Sequence, residues 1–487
     1  MDPIDSDGDG WPDSGDAFPY NPAEWLDSDG DGIGNNYENQ YPAILDPDNP
    51  DDADVDSDGD GRTNLEEFQD GTDPSVPDSP GEAAQKLEGD FNGDGTTDLL
   101  YRRKTDGYVY AWFMDGMNDP VKYPYGIVGT QWKIVTIGNF DAGSATTDIL
   151  WRNTNTGDLL IWLMNGAATP QMKMLGVVGP IWDLIDVGKF DDNDTLDLLY
   201  RRNTDGFVYV WFMDGMNEPV KHPFDIVGTQ WKIIEIAQFD PGNATTDILW
   251  RNTKTGDLLV WLMNGTAAPT NVALGAVGPV WKLIDIGHFD TGETADLLYR
   301  RSTDGFVYVW FMDGTSNPLK HPFDIVGTQW EIVEIEPFDP GSTTDDILWR
   351  NTNTGDLLVW PMNGTAAPAN VALGVVGPIW ELIDVGPFDS NETTDLLYRR
   401  STDGFVYVWF MDGTSNPVKH PFNIVGTQWE IVGIAPFDLG SATADIFWRN
   451  TNTGDNMSWL MDGNSTPGYK QFGVVGDIWE LKNLMPQ

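Results

Sequence analysis

The chain has 487 residues, with 27 Lys and Arg against 77 Asp and Glu, for a net charge of −50. That balance argues against nucleic acid or an anionic membrane surface as partner. There is no cysteine, which removes disulfides, thiolate metal sites and thiol nucleophiles, and no apolar run approaches the ~18 residues of a spanning helix.

Charge is concentrated at the start, where residues 1–80 hold 24 acidic residues and one basic residue, Arg62. Such a block repels itself and stays disordered unless cations neutralise it. Three segments carry the pattern of a calcium loop, with oxygen donors at positions 1, 3, 5, 7, 9 and 12 and a Gly at 6 for the sharp turn. DSDGDGWPDSGD offers Asp5, Asp7, Asp9, the Trp11 carbonyl, Asp13 and Asp16. DSDGDGIGNNYE offers Asp27, Asp29, Asp31, the Ile33 carbonyl, Asn35 and Glu38. DSDGDGRTNLEE offers Asp56, Asp58, Asp60, the Arg62 carbonyl, Asn64 and Glu67. A solvated acidic linker is the plainer reading, but the ordered Asp–Gly alternation, three times over, favours Ca2+ sites. No apolar density sufficient for a core is apparent between Met1 and Pro80, so calcium is expected to supply the folding energy of residues 1–74.

The stretches DAFPYNPAEWLDSDGDG and DVDSDGDGRTNLEEFQDGTDP resemble thrombospondin type-3 repeats and the related EF-hand-like repeats of secreted bacterial proteins. The paired cysteines of that family are missing. Millimolar free calcium outside cells points to an extracellular or cell-surface location. MDPIDSDGDG lacks the basic and apolar parts of a signal peptide, so an export leader would lie outside this sequence. Residues 75–85, SVPDSPGEAAQ, read as a linker.

From residue 86 to 487 one segment recurs eight times, anchored by Phe91, Phe140, Phe190, Phe239, Phe289, Phe338, Phe388 and Phe437 at alternating spacings of 49 and 50 residues. Each copy reads as four short strands. In the copy at Phe239 these are WKIIEIAQF, DILWRN, DLLVWLM and NVALGAVG, separated by turn signals. An Asp-Gly or Asn-Gly follows every third strand, at Asp115, Asn165, Asp214, Asn264, Asp313, Asn363, Asp412 and Asp462, the hallmark of a hairpin. In FVYVWFM both alternating faces are apolar, so each sheet needs a neighbour on both sides, which a radial arrangement supplies. The first copy lacks the leading Trp strand, and GDIWELKNL at the end carries a spare one, Trp479–Leu484. The expected fold is all-β: an eight-bladed β-propeller locked by its last strand, with two alternating blade types and four-fold pseudo-symmetry.

GDFNGDGTTDLL resembles the FG-GAP/VCBS repeats of bacterial surface proteins and integrin propellers. The resemblance implies a calcium loop at Asp90, Asn92, Asp94, the Thr96 carbonyl and Asp98. In the other seven copies the first ligand position becomes Asn139, Lys189, Gln238, His288, Pro337, Pro387 or Pro436, so those loops are expected to bind calcium weakly or not at all. Retained pairs such as Asp240 and Asp247 are expected to cap turn amides.

An Arg follows the second-strand aromatic in every blade: Arg102, Arg152, Arg201, Arg251, Arg300, Arg350, Arg399 and Arg449. Arg beside an aromatic ring suits a sugar; the plainer reading pairs each Arg with the Asp four residues earlier. Odd blades alone add Tyr110, Tyr209, Tyr308 and Tyr407 and a second Arg at Arg103, Arg202, Arg301 and Arg400. These eight are the candidate ligand residues, set against packing between two blade types as the alternative. Of four His, three share one equivalent position (His222, His321, His420) and His288 sits in a degenerate loop, so no catalytic constellation stands out and the chain is read as a non-enzyme. The expected function is a secreted or surface calcium-binding propeller that binds glycans multivalently. The alternatives are a structural or self-assembling surface protein and, more distantly, a polysaccharide lyase or hydrolase.

Overall fold

The computed structural model describes residues 11, 17–18, 25–42, 44–50, 52–53, 55, 57, 64–65, 68, 74 and 89–482, the last stretch with short gaps at 143, 194, 243–244, 293, 315–316, 340–342, 392, 412–416 and 439–442. The chain divides into two compact units, Met1–Ala83 and Ala84–Gln487.

The second unit is an eight-bladed β-propeller: eight antiparallel sheets, each of four strands. Blade 4 holds Trp231–Ala237, Asp247–Asn252, Asp257–Leu262 and Thr270–Ala276, in that spatial order. The first strands of neighbouring blades approach one another, which places them around the axis. The fourth strands form the exposed rim. Every first strand of blades 2 to 8 carries a bulge. In blade 4, Ile234 is skipped between the pairs Ile233↔Trp250 and Glu235↔Leu249, and the same shift recurs in the other six.

Alternation along the third strand builds the core. In blade 3, Tyr209, Trp211 and Met213 pack toward blade 2 against Leu159 and Leu175. Val208, Val210 and Phe212 pack toward blade 4 against Ile233 and Trp250. The eight third-strand Trp residues (Trp112, Trp162, Trp211, Trp261, Trp310, Trp360, Trp409, Trp459) are buried filler.

The ring closes as the spare strand predicts. Trp479–Leu481 pairs with Leu99–Arg103, matching Tyr101 to Leu481, Arg102 to Glu480 and Arg103 to Trp479. The strand ends at Leu481; residues 483–487 lie outside the described ones.

Two backbone bonds recur at the blade junctions. The turn Gly donates to the anchoring Phe one blade back: Gly166 to Phe91, Gly215 to Phe140 and, across the closure, Gly116 to Phe437 at 2.8–2.9 Å. Gly116 has φ +53°, and a Cβ there would stand 2.9 Å from Asp438 Cβ, so conformation and approach both demand glycine. These turns belong to longer connections, Leu262 to Thr270 in blade 4, and not to the two-residue hairpins that Asn-Gly suggested. Asp412 lies outside the described residues. The second bond runs from Thr147 to the Asp90 carbonyl, Leu196 to Asn139 and Thr97 to Pro436, at 2.7–2.8 Å.

Among its described residues the first unit has a helical turn at Asn35–Glu38, and Asn64, Leu65 and Phe68 are helical as well. It also has a core: Ile33, Tyr37, Leu45 and Ala53 are buried, with Tyr41, Ile44, Leu65 and Phe68 packed on them. The expectation of a coreless module is thereby corrected. Its apolar residues are few, scattered among acidic loops apart from the short run Tyr41–Leu45, and they come together only in the fold.

Candidate metal centre and blade-junction sites

The second acidic loop folds as the motif requires. Gly30 and Gly32 take φ of +82° and +97°, and Asp27 receives both of their amides, at 2.7 and 3.2 Å. Asp31 receives the Ile33 amide at 2.8 Å. Carboxylate oxygens of Asp27, Asp29 and Asp31 lie within 4.8 Å of one another, and so do those of Asp31, Glu38 and Asp52. Glu38 is fully buried and Asp52 is 6% exposed. Among the described residues, buried oxygens of Asp29, Asp31, Asp52 and both of Glu38 find no donor. A buried oxygen without a donor is costly. Burial, reinforced by Asp29, Asp31, Asp52 and Asp27, pushes the Glu38 carboxyl up to about 8.

The donor set is all oxygen, four Asp and one Glu, which fits a hard divalent cation such as calcium and not a soft one. Two features depart from the sequence pattern. Asn35 turns away: its Oδ1 accepts the Ser28 amide at 2.9 Å and its Nδ2 donates to Ser28 Oγ at 2.8 Å. Asp52 joins from outside the loop, its Oδ2 held by the Asp46 amide at 2.9 Å. Its position beyond the twelve-residue frame hid it from motif reading.

Of the first loop only Trp11 is described, and it is exposed; Asp5, Asp7, Asp9, Asp13 and Asp16 lie outside the described residues. Of the third loop's ligand positions only Asn64 is, with Asp56, Asp58, Asp60, Arg62 and Glu67 outside. Asn64 is buried, donates to the Asp52 carbonyl at 2.7 Å and keeps Oδ1 without a donor.

The propeller loop of blade 1 makes the same turn and differs at its closing carboxylate. Asp90 accepts the amides of Gly93 and Gly95 at 2.6 and 2.7 Å. Asn92 donates to Asp94, and Asp94 accepts both the amide and hydroxyl of Thr96. Asp98 is buried and takes the Phe91 amide at 2.8 Å and the Met114 amide at 3.0 Å. Among the described residues, no group of three carboxylates converges here. Every blade repeats the Asp98 arrangement; in blade 4, Asp247 takes the amides of Phe239 and Met263, each at 2.8 Å. Burial pushes Asp98 up to about 8, against the pull of its two amide bonds.

The first Arg of the odd blades is a junction residue. Arg102, Arg201, Arg300 and Arg399 donate to the carbonyls of Gly129, Gly228, Gly327 and Gly426 at 2.6–2.8 Å. Each lies 5.3–5.5 Å from a Trp of the next blade: Trp151, Trp250, Trp349 or Trp448. Pairing with the Asp four residues earlier is corrected, because that Asp is engaged by backbone amides. In even blades, Arg449 donates to the Val475 carbonyl at 3.5 Å, and Arg152, Arg251 and Arg350 are half-buried.

The second Arg has a partner that residue spacing did not flag. Arg103, Arg202, Arg301 and Arg400 grip Asp106, Asp205, Asp304 and Asp403 in bidentate pairs at 2.6–2.8 Å. In even blades an Asn caps the same turn, as Asn252 does for the amides of Lys254 and Thr255. The guanidinium of Arg202 sits 5.2 Å from Trp182 and 4.9 Å from Phe207. Tyr209 meets the same Trp182 edge to face at 5.7 Å. Tyr110, Tyr308 and Tyr407 do likewise on Trp479, Trp281 and Trp380. Tyr and Arg thus come together, four times, through a shared Trp. The Arg side chains keep 29–33% of their surface exposed.

No protein-family model matches the chain, and no curated protein does. Solved structures resemble it in fold. A post-proline cleaving enzyme from Rickettsia typhi is 8% identical over 75% of this chain and 58% of that one, with a TM-score of 0.41. Dipeptidyl peptidase 4 of Porphyromonas gingivalis is 10% identical over 72% and 57%, at 0.39. The complex of KlAtg21 with the coiled coil of AgAtg16 is 11% identical over 70% and 99%, at 0.36. The chain therefore spans little more than half of the two enzymes' length. Likeness at this level carries no functional argument; the propeller rests on its strand pairing.

Proposed function

We propose that this is a secreted or cell-surface propeller of the FG-GAP/VCBS kind, stabilised by calcium in a thrombospondin type-3-like N-terminal unit, that binds glycans at repeated shallow sites. The observation that carries the calcium reading is the convergence of Asp27, Asp29, Asp31, Glu38 and Asp52 with buried oxygens lacking donors. The glycan reading is supported by the four-fold Arg–Asp–Trp–Tyr clusters, part exposed and absent from even blades. A planar guanidinium beside aromatic rings offers both donors and stacking, and four weak copies give avidity.

A glycan array probed with and without calcium, followed by calorimetry on any sugar found, tests it. A stoichiometry near four, lost stepwise as Arg103, Arg202, Arg301 and Arg400 are changed to Asn, supports the reading. Undiminished binding after all four changes removes these clusters as the site.

A further inference from the structure

Three departures from the repeat meet at the junction of blades 7 and 8. Equivalent blades are often near copies; the third strand of blades 3, 5 and 7 is FVYVWF each time. Blade 7 carries Asn423 where blades 3 and 5 carry Asp225 and Asp324. Blade 8 carries Met457 where blades 2, 4 and 6 carry Leu160, Leu259 and Leu358. It also carries Tyr469, the cross-strand partner of Trp459, at the place that Asn271 and Asn370 hold in blades 4 and 6. All three line one cavity of about 400 Å³, together with Ile424, Trp459 and Thr466. That size falls within the roughly 300–1,000 Å³ usual for small-ligand sites.

Each departure changes what the cavity offers. Asp225 and Asp324 bend back to accept the amides of Ile226 and Ile325, each at 2.8 Å. Asn423 makes no such bond, and among the described residues its side chain has no hydrogen-bond partner, which leaves a free amide group in the lining. In blade 6, Asn370 accepts the indole N–H of Trp360 at 2.7 Å, while in blades 2 and 4 the equivalent N–H is buried without a partner. Tyr469 has no side-chain carbonyl for that role, and among the described residues the Trp459 N–H has no partner, although its ring lines the cavity. Tyr469 is itself 52% exposed and walls the opening with its ring. Met457 replaces a branched side chain with a flexible one that adapts to a guest. The Thr466 hydroxyl is a third open polar group.

We propose that this cavity is a single binding site for an uncharged sugar residue, separate from the four odd-blade clusters. None of its lining residues is charged, so an ionic group entering it would lose hydration and find no countercharge. The change from Asp to Asn at 423 removes the carboxylate that a cation would have used beside the aromatic rings. A wholly apolar guest would leave the open amide, indole and hydroxyl groups unpaired. A neutral sugar ring satisfies both halves of the lining. Its C–H face lies on the Tyr469 ring, and its hydroxyls, each donor and acceptor, meet Asn423, Trp459 and Thr466. The site shares only its ligand class with the odd-blade clusters and does not depend on them.

Saturation-transfer NMR of the full chain with calcium present tests it. The probes are glucose, galactose, mannose and N-acetylglucosamine, with glucuronate and choline as charged controls. Wild type is compared with the chain in which Arg103, Arg202, Arg301 and Arg400 are all Asn, which separates this cavity from the clusters. At least one neutral sugar should bind both chains with a dissociation constant below about 50 mM, and neither control should displace it. Restoring the repeat by Asn423→Asp and Tyr469→Asn should weaken the binding that survives the Arg changes at least about ten-fold. Equivalent blades already carry both replacement residues, and an unchanged melting temperature confirms folding; Tyr469→Asn alone, the milder change, should weaken binding in the same direction. Three results overturn the site: no neutral sugar bound by the Arg variant, preference for glucuronate or choline, or binding that the restored repeat leaves unchanged. Sugar bound by the wild type and lost with the Arg changes overturns this cavity while upholding the odd-blade clusters.

Discussion

The acidic loop at Asp27 and the acidic loop at Asp90 are spelled almost alike, DSDGDG against DFNGDG, and the structure puts them to different uses. In both loops the first Asp accepts the amides of two turn glycines, Gly30 and Gly32 for Asp27 and Gly93 and Gly95 for Asp90, but in the propeller loop Asp98 is locked between two buried amides. Around Asp27 the carboxylates turn toward one another, and several buried oxygens find no donor among the described residues. A calcium motif defines a loop shape; whether that shape also needs the ion depends on what else satisfies its oxygens. The seven other propeller loops show the end of this path. Their first ligand position has drifted to Asn, Lys, Gln, His and Pro, because what the ring uses there is a carbonyl accepting the next blade's amide, as Asn139 and Pro436 do.

The largest expected effect separates the two units. Removing calcium with a chelator should abolish hydrogen-exchange protection across residues 25–68 while leaving protection in the blades intact, since cation binding offsets the repulsion of five converging carboxylates. Equal loss in both units would erase the distinction. Next, Asp247→Ala strands the buried amides of Phe239 and Met263 and should cost the propeller about 2–5 kcal/mol in chemical denaturation, with or without calcium. A calcium-dependent cost would mean that the blade loops bind the ion after all. Glu38→Gln should weaken calcium binding by about ten-fold or more, roughly 1.4 kcal/mol, whereas Asp90→Asn should leave the strongest calorimetric site unchanged. The smallest effect is expected from Arg202→Asn, which gives an odd blade the even-blade residue: a part-exposed ion pair is lost and the melting temperature should shift least of all.

Much of the propeller was legible because eight copies repeat every signal. The Trp strand missing from the first copy and spare at the end announced the closure before any pairing was seen. The alternation of blade types was equally plain, yet the partner of the second Arg was not. Asp205 changes to Thr156 in the even-blade equivalent alongside the change from Arg202 to Asn153, a co-variation that sits beside the more conspicuous change at Tyr209. In the first unit the twelve-residue frame found Asp27, Asp29, Asp31 and Glu38 and could not find Asp52, which arrives through a separate turn. The small core escaped for a related reason: Ile33, Leu45 and Phe68 have no period, so only the fold reveals that they meet.

The three-residue strand Trp479–Leu481 carries a topological consequence. Blade 1 keeps an unpaired inner edge on Leu99–Arg103 until nearly the whole repeat region exists, so its last ladder forms only after the other seven blades have been laid down. Joining such distant segments in a flexible chain would cost on the order of 5 kcal/mol of length-dependent closure entropy, more than three residues of pairing readily supply. The intervening blades meet that cost beforehand by curving the chain through a full circle, so the two ends arrive already facing each other. The latch can be short because the ring itself brings the door to the frame.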